Sequence, residues 1–306
     1  MQNLQQLILK YLDFCKYQKT LNEKSLKAYR IDLTQYADYM AANTDMQLNR
    51  SNLTSYITNL HKYYKPKSAK RKIASLKAFF SYLEYEEFLP ENPFSKIKVK
   101  FQEPVLLPRT IPTQNIQKLF QTVYQLLTKA TTPYQERALT RDIAVLELLF
   151  STGLRVSELC SLNCNDIDLE QGSVRIYGKG SKERMIQITN PDVIKALISY
   201  RNLFYEQLPN ADFFFCNRLM HRLSEQSVRF MIKHYAKLAD ISEHITPHMF
   251  RHTFATLLLE EDVDIRYIQN ILGHSSITTT QIYTHVTSCK QRDILTTKNP
   301  RNKINL

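Results

Sequence analysis

The chain has 306 residues, 43% of them hydrophobic, which is enough for two ordinary domains with separate cores and excludes a disordered tail. Its formal net charge of +12 is uneven: residues 1–100 hold 17 Lys and Arg against 9 Asp and Glu, and the remainder 24 against 20. A cationic lobe ahead of a nearly balanced one favours a polyanionic partner, with nucleic acid the first expectation. No run of eighteen apolar residues or signal-peptide pattern occurs, so a cytoplasmic protein without a membrane partner is expected. Five cysteines, an odd number, point to reduced thiols, and Cys160 and Cys164 lack the second pair of a zinc ribbon.

Apolar positions three and four apart predict helices over Asn3–Tyr17, Glu23–Ala42, Ser51–Tyr64 and Ser68–Phe88, with Asn22, Ser51 and Ser68 as N-caps. Residues 1–89 therefore read as a helical bundle. The fourth helix opens SAKRKIASLKAFF, whose Lys70, Arg71, Lys72 and Lys77 are candidate phosphate contacts. Residues 90–112 contain Pro90, Pro93, Pro104, Pro108 and Pro112 and are expected to form an extended linker.

The second domain, residues 113–306, opens with predicted helices over Thr113–Thr128 and Glu136–Ser151. The period then changes to two: SVRIYGKGSKERMIQIT predicts a β-hairpin turning at Gly178 to Ser181, with helices again from Asp192. The fold class expected is mainly α with a small β-sheet. All the glycines lie in this domain, and several sit beside a cation or imidazole. Gly153 leads to Arg155, Gly178 and Gly180 bracket Lys179, and Gly273 is expected to end the helix Asp264–Leu272 in a left-handed position ahead of His274. In PHMFRHTFATLLLEE, Phe250, Phe254, Leu257 and Leu258 make an apolar stripe, and His248 and Arg251 share an adjoining face. His248 and His252 have the spacing of a zinc pair, but the Glu of that motif is absent and Arg251 would repel a dication.

Arginines, a lysine, histidines and a tyrosine, without a carboxylate pair or metal motif, suit transfer of a phosphodiester. Guanidiniums clamp the nonbridging oxygens, Lys or His moves protons, and Tyr attacks once cationic neighbours or a histidine relieve its phenol of a proton. No metal and no cofactor is called for by these residues.

Arg155, Lys179, His248-x-x-Arg251, His274 and Tyr283, within TGLRVSEL, GKGSKER, HMFRHTFAT and LGHSSITTTQIYTH, resemble the signature of the tyrosine recombinases, the lambda-integrase-like family, and especially its short Xer-like members. The likeness extends more loosely to SLKAYRIDL, SLKAFFSYL, ENPFSKI and LPRTI. It implies an N-terminal SAM-like core-binding bundle and a mixed α/β catalytic domain, forming a C-shaped clamp on double-stranded DNA. It also implies Tyr283 as nucleophile, Arg155 and Arg251 on the nonbridging oxygens, Lys179 as general acid, His248 as proton acceptor and His274 as a phosphate donor. Glu158 would orient the arginines, and Lys182 and Arg184 join the candidate DNA contacts. Such enzymes act as tetramers on two DNA sites, here with an inverted-repeat core, and a segment such as that from about residue 288 docks on a neighbouring subunit.

The resemblance leaves three things open: a homo- or heterotetramer, a second recombinase, and a DNA-translocating ATPase. The role is either chromosome- or plasmid-dimer resolution or integration, excision or inversion of a mobile element. A type IB topoisomerase-like enzyme and a catalytically silent DNA-binding protein of the same fold are the alternatives. Where a glycine is usual in the family, this chain has Glu261-Asp262, which puts the local turn in question.

Overall fold

The apolar periods become helices in the computed structural model, which describes residues 4–43, 45–99, 101, 108–178, 183–205 and 212–273. Contacts divide the chain into two compact units, Met1–Val105 and Leu106–Leu306.

The first unit contains α1 (Leu4–Tyr17), α2 (Glu23–Asn43), α3 (Arg50–Tyr63) and α4 (Pro66–Tyr85). Asn22 caps α2 by accepting from the Ser25 N–H at 2.9 Å. The other two expected caps move upstream. Asn49 caps α3 through the Asn52 N–H at 2.9 Å, so Ser51 lies inside the helix. Pro66, whose fixed φ suits the first helical position, starts α4 two residues before Ser68. Tyr11, Leu33, Tyr36, Leu53, Phe79 and Phe80 are fully buried in the core.

That core also contains a polar cluster. Asp32 on α2 is buried and accepts from Lys72 Nζ at 3.1 Å, from Ser75 Oγ at 2.8 Å and from Arg71. Lys72 also donates to Gln35 and is 3% exposed. The expectation of a surface phosphate contact therefore fails for Lys72, whose ammonium is turned into the bundle. Lys70, Arg71 and Lys77 are exposed on the same helix.

The expected linker is less extended than its prolines suggest. Residues Pro93–Lys96 form a 3-10 turn, capped by Asn92 accepting from the Phe94 N–H at 3.0 Å, and Phe94 enters the first unit's core. Ile97, Val99 and Phe101 pack against that core, whereas the Ile111 N–H donates to Thr253 Oγ1 at 2.7 Å within the second unit.

The second unit contains α5 (Thr113–Thr128), α6 (Pro133–Thr152), α7 (Val156–Ser161), β1 (Ile167–Asp168), β2 (Ser173–Tyr177), β3 (Glu183–Gln187), α8 (Pro191–Tyr205), α9 (Glu225–Leu238), α10 (Pro247–Glu260) and α11 (Ile265–Leu272). Ile143, Ala144, Val145, Leu146, Leu148 and Leu149 bury α6 on several sides, and it packs against α5, α8 and α10. A helix buried all round needs such a run. The expected hairpin forms as β2 and β3, with Val174 opposite Ile186 and Ile176 opposite Arg184. The short β1 adds a third antiparallel strand, giving the order β1-β2-β3. Alternation buries Val174, Ile176 and Ile186 and leaves Tyr177 and Met185 outward.

After α10, Asp262 has φ +62, so an aspartate takes a left-handed turn at the position where the resemblance leads one to expect glycine. Asp tolerates this conformation better than most side chains. No helix among the described residues is long and apolar enough to cross a membrane.

Candidate active site

Two left-handed glycines set out the site. Gly153, at φ +60, ends α6 with its N–H on the Leu149 carbonyl at 3.1 Å. The chain turns there, and Arg155 becomes the N-cap of α7. A Cβ on Gly153 would lie 2.5 Å from Phe254 Cδ1, so both the backbone and the neighbouring ring exclude a side chain. Gly273, at φ +65, ends α11 as its position after the apolar period suggested.

Glu158, one turn into α7, is buried and holds two arginines. Its carboxylate accepts from the Arg155 N–H at 2.9 Å and from Arg155 Nη1 at 2.8 Å. It also takes both ends of the Arg184 guanidinium, Nη1 at 3.0 Å and Nη2 at 2.8 Å. Burial alone would raise the Glu158 pKa, but the hydrogen bonds and charges of Arg184 and Arg155 outweigh it and hold the carboxyl below its ordinary value.

The last carbonyls of α11 each meet a different arginine. Arg184 Nε donates to Ile271 O at 2.9 Å, Arg251 Nη2 to Leu272 O at 2.6 Å and Arg155 Nη2 to Gly273 O at 3.5 Å. Arg251 Nη1 also donates to Gly153 O at 2.8 Å. Cations belong at this end of a helix, where orphan carbonyls concentrate negative charge. Guanidiniums from β3, from α10 and from the start of α7 therefore converge at the residue preceding His274. A guanidinium fork is a geometry that suits a phosphate bidentately.

On α10, His248 is exposed and its ring centre lies 6.2 Å from that of His252, nearly parallel. Burial first, then the charges of His248 and Arg251, push His252 down to about pKa 4, so it is neutral near pH 7. No group of three or more His, Cys, Asp or Glu among the described residues could hold a metal ion.

The structure thus brings Arg155 and Arg251 together around the end of α11, with His248 on the same helix as Arg251. Lys179, Lys182, His274 and Tyr283 lie outside the described residues. Arg184, expected as a DNA contact, has a side chain only 12% exposed and bonded to Glu158 and Ile271, which is a correction to its surface reading. Strand alternation was the available signal: Arg184 shares the parity of Ile186, hence the inward face.

Residues 111–289 match the phage integrase family, and residues 8–87 match the phage integrase N-terminal SAM-like domain. A tyrosine recombinase of Agathobacter rectalis is 54% identical over 301 residues, 98% of each chain. Tyrosine recombinase XerD of Listeria monocytogenes is 35% identical over 303 residues, covering 96% of this chain and 99% of its own. Among solved structures, XerH bound to palindromic difH substrate, a post-cleavage complex, superposes with TM-score 0.74 at 21% identity, covering 93% of this chain and 83% of that one. A lambda integrase tetramer bound to a Holliday junction gives 0.67 at 16% identity, with coverage of 92% and 76%; at these identities the likeness is one of fold.

Proposed function

The chain belongs to the tyrosine recombinase family and is a site-specific DNA recombinase, and from this premise we propose that Tyr283 is its nucleophile. The phenolic oxygen of Tyr283 attacks the scissile phosphorus and forms a 3′-phosphotyrosyl ester as the bond to the 5′ oxygen breaks. His248 takes the phenol proton. Lys179 gives a proton to the departing 5′ oxygen, leaving a 5′-hydroxyl. Arg155 and Arg251 stabilise the charge on the nonbridging oxygens, and His274 donates a hydrogen bond to the same phosphate.

Rejoining reverses these transfers with a 5′-hydroxyl from the exchanged strand. The phosphotyrosyl ester conserves the bond, so neither ATP nor a metal ion enters the balance. Two such exchanges pass through a Holliday junction, with four protomers on two inverted-repeat core sites in cytoplasmic DNA. A second recombinase or a DNA-translocating ATPase is a further partner to test for, by adding each to strand-exchange reactions.

The observation that supports this reading is the convergence of Arg155 and Arg251 on the carbonyl end of α11, directly before His274. The test is a nicked suicide duplex carrying the core site, incubated in EDTA and run on a denaturing gel. Wild type is expected to give a protein–DNA adduct and Tyr283→Phe none, although both bind the duplex. Equal adduct from both would refute the assignment.

A further inference from the structure

Arg184 is not one of the residues to which the reaction above assigns a step, yet it occupies the centre of the cluster. All three of its donor nitrogens face acceptors: both Nη groups pair with the Glu158 carboxylate and Nε meets Ile271 O. Its neighbour across the sheet is Ile176, and its side chain points inward. Gly273 packs on it so closely that a Cβ there would lie 2.8 Å from Arg184 Nη1. This side chain therefore touches β3, α7 and the end of α11 at once.

We propose that Arg184 is a positioning residue for strand cleavage, which fixes Glu158, and through it Arg155, against the carbonyl end of α11. The inference rests on the recombinase chemistry assigned above and deepens it. Glu158 uses the same two oxygens for Arg184 and for Arg155, so the orientation of its carboxylate sets where the Arg155 fork points. The Arg184 to Ile271 bond sets the height of the α11 end, and Arg251 and Arg155 reach the next two carbonyls, of Leu272 and Gly273, in turn. With Arg184 lost, Glu158 keeps only Arg155 among these ionic partners, and the Ile271 carbonyl loses its donor. Arg155 is then drawn towards the vacated oxygens and away from the phosphate position.

A lysine cannot replace this residue, because one ammonium cannot span both carboxylate oxygens and the Ile271 carbonyl in the planar arrangement of a guanidinium. A DNA contact makes the opposite prediction: Lys would serve nearly as well as Arg, and removing the charge would reduce the salt dependence of binding.

The experiment compares wild type, Arg184→Lys, Arg184→Gln, Glu158→Gln and the Arg184→Gln/Glu158→Gln double variant, each checked for helix content by circular dichroism. Single-turnover cleavage of the suicide duplex and salt-dependent non-covalent binding to it are both measured. For both Arg184 variants the cleavage rate is expected to fall by about 100-fold, the scale of a roughly 1 Å misplacement. The dissociation constant and its salt slope are expected to stay as in wild type. The double variant is expected to be no slower than either single, because the residues act as one unit. Wild-type cleavage by Arg184→Lys, or weakened binding with a smaller salt slope, would overturn the proposal. Should Arg184→Gln not fold, Arg184→Lys and Glu158→Gln still decide the matter. A wild type that forms no adduct overturns the recombinase assignment and this role with it, whereas a competent wild type matched by its Arg184 variants overturns this role alone.

Discussion

Arg251 donates to the carbonyl of Gly153 at 2.8 Å, which ties α10 to the left-handed end of α6. The bond depends on a residue without a side chain, since Phe254 and a φ of +60 both exclude a Cβ at that position. Gly153→Ala is therefore expected to destabilise the second unit by about 2–4 kcal/mol, combining left-handed strain with overpacking. Urea unfolding followed by circular dichroism measures this. A loss below about 0.5 kcal/mol, the level of an indifferent surface change, would contradict the account.

His252 supplies a pH dependence. Its folded pKa of about 4 lies below the ordinary imidazole value of about 6.5, so the unfolded chain binds the extra proton between these values. Stability is then full above about pH 6.5 and falls as the pH drops towards 4, by about 1–3 kcal/mol. Replacing His252 by Gln is expected to flatten that part of the stability profile, read from melting temperatures across pH 4–7. An unchanged slope in the variant would assign the effect to other groups.

In the first unit, Asp32 faces a nearly buried lysine. Asp32→Ala leaves the Lys72 ammonium without its carboxylate, and the expected cost is about 3–5 kcal/mol. Adding Lys72→Met to Asp32→Ala should recover much of that loss, because it removes the uncompensated charge. A double variant as unstable as the single would mean that Arg71 and Ser75, not Lys72, dominate the site.

That burial also separates the cations of α4 by role. Lys70→Ala and Lys77→Ala are expected each to lower the slope of log binding constant against log salt by about 1, if each neutralises one phosphate. Lys72→Met should leave the slope unchanged. Fluorescence anisotropy on a core-site duplex between low and moderate salt gives the slopes, and a loss at Lys72 equal to that at Lys70 would contradict the assignment.

Much of this arrangement is legible from local signals. The helices follow the apolar period, and Gly273 is placed as a left-handed helix end because the period stops at Leu272 and a glycine follows. The positions that escape are those where a long-range contact overrides local chemistry. KRK reads as an exposed basic turn, but Lys72 lies one turn before Leu76 and seven residues before Phe79, on the buried side of α4, and Asp32 lies one turn before Tyr36 on α2. Each charge is intelligible only when the other is present. Arg184 escapes for the same reason: its acceptors on Glu158 and Ile271 are 26 and 87 residues away in the chain. The third strand, β1, is only two residues long, too short to show a period.

In the reaction proposed above, Tyr283 is the residue that carries the covalent link to DNA. The most direct measurement is mass spectrometry of the trapped adduct after digestion with protease and nuclease, with the nucleotide-bearing residue located by fragmentation. The expected product is a 3′-phosphonucleotide on Tyr283, formed in EDTA and absent from Tyr283→Phe. A link to any other residue, or an adduct of the same yield in Tyr283→Phe, would contradict it.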